Sequence, residues 1–171
     1  VLNEFHVVLI TKGKGVFESK ATGKIKISDG DVFLLFPGVW HSYKPSKKTG
    51  WTERWVGFSG TIANQFLANG FFSADTPVIS KCHKTAVLNH FNALFKLFDE
   101  EPFGFQRLAS GICIQLMGEL HNIQQGGNNI QNLNSIVLHT KKLMYEHITS
   151  SIDLAKIASD LGVSYSKFRL D

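Results

Sequence analysis

The feature that most constrains this chain is a change of hydrophobic period near Gly60. Before it, apolar and polar residues alternate and glycine-marked turns recur every few residues, the pattern of short half-buried strands. "EFHVVLI" is strand-like, "TKGKG" reads as a turn and "VFES" as a second strand. The turns "ATG" and "DGD" bound "KIKIS", which sets Ile25 and Ile27 on one face and Lys24 and Lys26 on the other. "VFLLF" is fully apolar, Pro37 and Gly38 turn the chain, and "WHSYK" and "WTERWVGFS" follow on either side of the polar loop "PSKKTG". Many short strands with Gly, Pro and Asp turns fold as a small antiparallel barrel or sandwich.

Beyond Gly60 the period becomes that of a helix. "TIANQFLANGFF" predicts a short helix stopped near Gly70, and "ADTPVIS" an extended connector. Val87, Leu88, Phe91, Leu94, Phe95 and Phe98 form one broad apolar stripe, and Leu108, Ile112, Leu116, Leu120 and Ile123 mark a second amphipathic helix. "QQGGNNIQNLN" is a polar Gly/Asn-rich linker, after which the pattern is helical again. The expected fold class is therefore α+β. A barrel occupies 1–60, a helical segment 61–125, a linker 126–134 and a further helical unit 135–171, which suits the one or two small domains that 171 residues allow.

Composition narrows the function classes. No apolar run approaches the roughly 18 residues of a membrane span, and no signal-peptide pattern opens the chain. Cys82 and Cys113 stand apart, with no Cys-x-x-Cys, and read as reduced core thiols of a cytoplasmic protein. A net charge of +4 permits an anionic partner without requiring one. The sequence opens at Val1 and stops at Asp171 within a helical pattern, so it reads as a piece of a longer protein.

The C-terminal stretch "IDLAKIASDLGVSYSKFRLD" can be taken position by position. Asp153 suits an N-cap, and Ile152 and Ile157 the two ends of a hydrophobic staple. Leu154, Ile157, Ala158 and Leu161 make an inward face, and Gly162 lies where the chain leaves the helix. Ala158 lets a second helix cross closely and Gly162 makes the sharp turn, the combination a helix-turn-helix needs. Ser164 then caps the second helix, and Ser164, Tyr165, Ser166, Lys167 and Arg169 would face a DNA groove or its phosphates.

Chemistry in the N-terminal half centres on one strand. Alternation puts Trp51, Glu53 and Trp55 on one face and Thr52, Arg54 and Val56 on the other, with Tyr43 on the preceding strand. Aromatic faces stack on a sugar ring and a carboxylate accepts hydrogen bonds from its hydroxyls, so these residues could form a sugar cup. A cationic ligand would suit them too, and Trp51 reads equally well as plain core. Arg54 is expected to be a solvated charge. Ser42 faces away from His41, which argues against a nucleophile–base pair, and "GKGVFESKATG" has no phosphate-loop pattern.

"GDVFLLFPGVWHSYKP", with "WTERWVGFSG" after it, resembles the N-terminal cupin-type effector domain of AraC-family bacterial transcription regulators. "IDLAKIASDLGVSYSKF" is similar to the first helix-turn-helix of the same family. The family has two prolines before the glycine where this chain has Phe36-Pro37-Gly38, and its second helix-turn-helix would follow Asp171. The resemblance implies a regulator without enzymatic activity. It would bind DNA and a small-molecule effector, a sugar for preference, and act as a homodimer. Tyr43, Glu53 and Trp55 fall where sugar-responsive relatives hold their ligand, with His41 and Trp51 beside them. A helix in the region of Leu108, Ile112, Leu116, Leu120 and Ile123 dimerises in such proteins, and an N-terminal arm covers the pocket. Metal-binding cupins place a His-x-His and a glutamate on an earlier strand. Only His6 and Glu18 stand there, so no metal or other cofactor is expected and His41 is left to fix the turn or line the cup. Two alternatives remain open: a metal-dependent cupin enzyme such as a sugar isomerase or dioxygenase, and a ligand-free dimerisation scaffold.

Overall fold

The computed structural model describes residues 2–82, 85–126, 138, 140–142, 145, 153–160 and 164–168. The chain divides into two compact units, Val1–Gln125 and Gly126–Asp171.

The first unit is built on one long strand. β1 (Phe5–Ser19) runs through "TKGKG" without turning, which corrects the expectation of two strands with a turn between them. Its first half pairs antiparallel with β3 (Val32–Leu35) and β5 (Trp51–Phe58), and its second half with β2 (Gly23–Ser28) and β4 (His41–Pro45). The register against β5 slips between Ile10 and Lys12, and a bulge of this kind bends a strand. The two glycines mark the bend where other backbone comes close. A Cβ on Gly13 would lie 2.3 Å from the Gly50 carbonyl oxygen, and one on Gly15 2.3 Å from that of Lys44.

β1 thus belongs to two sheets and curls them into an antiparallel half-barrel. The connector after Asp75 adds a short strand, β6 (Val78–Ile79), to the edge of β3. Pro37 and Gly38 make the predicted turn: the Val39 N–H donates to the Phe36 carbonyl at 3.2 Å, and Gly38 sits at φ 74°, where a side chain would be strained.

Three helices cover the outer face of the first sheet. α1 (Thr61–Ala68) ends as the sequence predicts, with Gly70 at φ 71° donating to the Leu67 carbonyl and Phe71 donating to that of Phe66. α2 (Thr85–Glu100) and α3 (Phe105–Gln124) pack against each other and against the sheet. Phe5, Val7, Leu9, Val32, Leu34 and Phe36 point outward into this helical layer, where Val87, Phe91, Leu116, Met117 and Leu120 meet them. Val8, Ile10, Phe17, Ile27, Phe33 and Leu35 point the other way and fill the barrel. Each such wholly buried side chain stabilises the fold by about 1.5–3 kcal/mol. The fold is α+β, an antiparallel cupin-like half-barrel with helices on its back.

The α2 stripe is only half used as core. Val87, Phe91 and Leu94 are buried, while Phe95 and Phe98 stay exposed. In the second unit, α4 (Leu154–Asp160) and α5 (Tyr165–Phe168) pack against one another. Asp153 caps α4 as expected, its Oδ1 accepting from the amides of Ala155 at 2.9 Å and Lys156 at 3.1 Å. Ile157 and Ala158 are buried on the inward face. The turn residues Leu161, Gly162 and Val163 lie outside the described residues, as does linker 127–134.

Candidate ligand-binding site

The inner face of the half-barrel gathers the side chains that alternation assigns to it. In β1, His6, Val8 and Ile10 lie inward before the bulge, and Phe17 and Ser19 after it. β4 sets Tyr43 opposite Phe17 and His41 opposite Ser19. β5 sets Trp55 opposite Val8 and Glu53 opposite Ile10, and Trp51 joins the same inner cluster.

The aromatic rings form a connected wall. Tyr43 packs on Phe33 with centroids 5.0 Å apart and stacks on Trp51 at 6.1 Å, and His41 stacks on Tyr43 at 6.4 Å. Trp51 is therefore both core and wall. Its inner edge fills the space over Gly15, where a Cβ would come within 2.3 Å of the indole ring. Trp55 stands nearer the mouth, 54% exposed, with one face on the His6 imidazole at 5.4 Å and an interplanar angle of 19°.

Polar atoms in this wall have defined roles. The His41 Nδ1 donates to the Val39 carbonyl at 3.0 Å, which ties the histidine to the Pro-Gly turn. A carbonyl can only accept, so in the neutral ring Nε2 is left as an acceptor. The His6 Nε2 donates to Glu4 Oε1 at 3.0 Å. Glu53 carries the most informative atom: its Oε2 is buried and accepts no hydrogen bond from the described residues. Such an oxygen is costly to leave unpaired, by about 1–3 kcal/mol or more for a charged group. Burial, and then the nearby Glu53 charge, raise the Tyr43 phenol above its ordinary pKa. The cup thus combines broad apolar ring faces with a carboxylate oxygen and an imidazole nitrogen able to accept hydrogen bonds.

His6 is a cup residue that the sequence motifs mark only as a possible metal ligand. Its signal was the alternation of β1, which turns residues 6, 8 and 10 to one side. Gly57 makes room for it, since a Cβ there would lie 3.1 Å from the imidazole. Glu18 alternates with the inward Phe17 and Ser19 and so lies on the outer face, apart from His6. Among the described residues, no group of three His, Cys, Asp or Glu side chains could hold a metal ion.

Arg54 departs from expectation. It is no free solvated charge: its Nη1 donates to Asn92 Oδ1 and its guanidinium lies 5.4 Å over the Phe95 ring, tying β5 to α2. Phe95, partly exposed on its helix, is covered on one face by this contact. Both cysteines are buried, and burial raises the pKa of Cys113.

The predicted dimerisation stripe is divided by the fold. Leu116 and Leu120 are 0% exposed, spent on the core beneath α3, and are closed to a partner. Ile112 and Ile123 are half-buried, and Leu108 is 56% exposed. An i, i+4 series advances about 40° around a helix at each step, so it winds from solvent at Leu108 into the core at Leu116 over two steps. Of the predicted DNA-contacting residues, Ser164, Tyr165 and Ser166 are exposed at the start of α5. Lys167 contributes helical backbone to the described part, and Arg169 lies outside the described residues.

Residues 1–117 match the family model of the AraC-like ligand binding domain. The chain belongs to that family. The AraC-like chain is similar to the lactose operon transcription activator of Staphylococcus xylosus, 34% identical over 89 residues that make up 52% of this chain and 31% of the relative. It is also similar to the MmsAB operon regulatory protein of Pseudomonas aeruginosa, 23% identical over 175 residues, 97% of this chain and 54% of the relative. The chain thus spans about a third and about half of the lengths of these two relatives. Among the described residues, no helix is long and apolar enough to cross a membrane.

Proposed function

We propose that this AraC-like chain is the sensing part of a bacterial transcription regulator whose half-barrel binds a small polyhydroxylated molecule, a sugar for preference. The observation that carries this reading is the buried, unpaired Glu53 oxygen set among aromatic faces. Sugar hydroxyls would donate to Glu53 and to His41 Nε2, while Trp55, Trp51 and Tyr43 would cover the ring's apolar face. Both curated relatives are named as regulators of transcription or of an operon, which favours a sensor over an enzyme.

The route from cup to output follows from β5. Its inward residues, Glu53 and Trp55, belong to the cup. Its outward residues hold the helices: Arg54 grips α2, and Val56 and Phe58 pack against Leu94, Ala109 and Cys113. A ligand that shifts β5 by a fraction of an ångström would change how α2 and α3 sit. It can bias the output only as far as it binds the two arrangements with different affinity. In this reading α3 pairs with a second copy through its Leu108 and Ile112 side, and a helix-turn-helix of α4 and α5 contacts DNA through Ser164, Tyr165, Ser166, Lys167 and Arg169. Pairing raises affinity for a two-part operator by effective concentration. Acting on DNA puts its work in the cytoplasm.

A reporter driven by the regulator's own promoter tests the reading in the full-length protein. Glu53→Gln, at normal expression, should abolish the response to inducer while basal promoter output persists. A Glu53→Gln protein that responds to inducer like its parent would refute the role given to Glu53.

A further inference from the structure

On the far side of β5 from the cup, α1 and α3 diverge over the end of the strand and leave a cleft of about 330 Å³. Phe58, Ala63, Phe66, Cys113 and Met117 form its apolar interior. Ile62 and Ile114, both exposed, form an apolar lip. Among the described residues, Ser59, Thr61 and Ser110 contribute the polar side chains on its walls, and no charged side chain lines it.

We propose that this cleft is a second small-molecule site, separate from the barrel cup, for an uncharged and mainly apolar compound with one hydrogen-bonding group. Size comes first. An apolar cavity of about 150 Å³ takes up benzene, so this one has room for a bicyclic aromatic or a chain of similar bulk. The lining then excludes ions: a charged ligand would lose hydration here with no opposite charge to replace it. One polar group is provided for. Ser110 Oγ donates to the Gln106 carbonyl at 2.8 Å, which leaves its lone pairs free to accept from a ligand N–H or O–H. Met117 suits such a wall because an unbranched thioether adapts its shape to what it covers.

The cleft is also placed to matter. Phe58 lies in its wall and belongs to β5, the strand that carries Glu53 and Trp55 on its other face. Cys113 and Phe58 pack together in the cluster that joins β5 to α2 and α3. A compound seated here would therefore press on the same strand and helices from the opposite side.

Methyl-labelled methionine reports on the wall directly. Indole, uncharged and bicyclic with one N–H, is titrated into the full chain while the Met117 methyl resonance is followed, assigned against a Met117→Leu sample. The resonance should shift and saturate. Ile114→Trp, at an exposed position across the mouth, should abolish the saturable shift, and Ser110→Ala should weaken it. Glu53→Gln in the barrel should leave the titration unchanged. A Met117 signal that stays put up to the solubility limit of indole overturns the proposal, as does an equal response in both cleft variants. A Met117 shift produced by concentrating the protein without indole would assign the cleft to a second copy and overturn it too.

Discussion

Replacing Gly15 with alanine adds one methyl group at the most crowded point of the half-barrel. Gly15 sits in β1 between Ile27 of β2 and Pro45 of β4, so backbone flanks it on both sides. Its Cβ would lie 2.3 Å from the Lys44 carbonyl oxygen, and 2.3 and 2.6 Å from two carbons of the Trp51 ring. Neither neighbour can give way cheaply. The oxygen is part of β4, and the indole is held by Tyr43 at 6.1 Å and Phe33 at 6.2 Å. Overpacking of a core costs about 1–3 kcal/mol, and with backbone on one side the upper end applies, about 3 kcal/mol. That loss corresponds to a fall of roughly 10 °C in Tm for a unit of this size. Gly38→Ala is the control. No atom of the described residues lies within 4 Å of its Cβ position, so only its φ of 74° opposes the change, by about 1 kcal/mol. Urea unfolding followed by tryptophan fluorescence measures both, and the Gly15 variant should also move the Trp51 emission before unfolding begins. If Gly15→Ala falls within about 0.5 kcal/mol of its parent, or costs no more than Gly38→Ala, the close approach of β4 and Trp51 is wrong.

Tyr43 makes stability depend on alkaline pH. Its raised pKa means that the unfolded chain loses the phenolic proton first, so stability is fully present below about pH 10 and falls as pH rises beyond it. Denaturation midpoints across that range should show the fall in the parent and not in Tyr43→Phe; identical profiles would refute the assignment. Asp153→Ala should cost about 1 kcal/mol of helix stability, seen as faster amide exchange at Ala155 and Lys156, whereas unchanged exchange at both would deny the cap.

The cup was legible in the sequence because β5 runs without a bulge. Strict alternation therefore carries Trp51, Glu53 and Trp55 to one face, and Tyr43 reaches the same space from β4. β1 was less legible, since glycine in "TKGKG" has two readings. It can supply a turn, or it can make room for another chain, and only the positions of Gly50, Lys44 and Trp51 decide between them. Arg54 shows the same limit for charge. Alternation puts it on the outer face, but Asn92 and Phe95, some 40 residues on, make it a tie to α2. In α3 the i, i+4 stripe identified the helix and its apolar residues. Which of them face a partner depended on where the sheet lies, and the sheet takes Leu116 and Leu120. The cleft between α1 and α3 left no pattern in the sequence, because α3 supplies one wall from a segment distant in the chain from the Phe58–Phe66 stretch that supplies the other.

The central claim is that Glu53 holds a polyhydroxylated effector inside the aromatic cup. The measurement that tests it most directly is a thermal-shift screen of this chain against monosaccharides and short oligosaccharides, repeated on Glu53→Gln. One sugar class at one hundred times its dissociation constant should stabilise the parent by about 2.7 kcal/mol. That gain should vanish in the variant, whose own Tm without ligand is not lowered. Stabilisation of equal size in parent and variant, or none by any sugar, would contradict it.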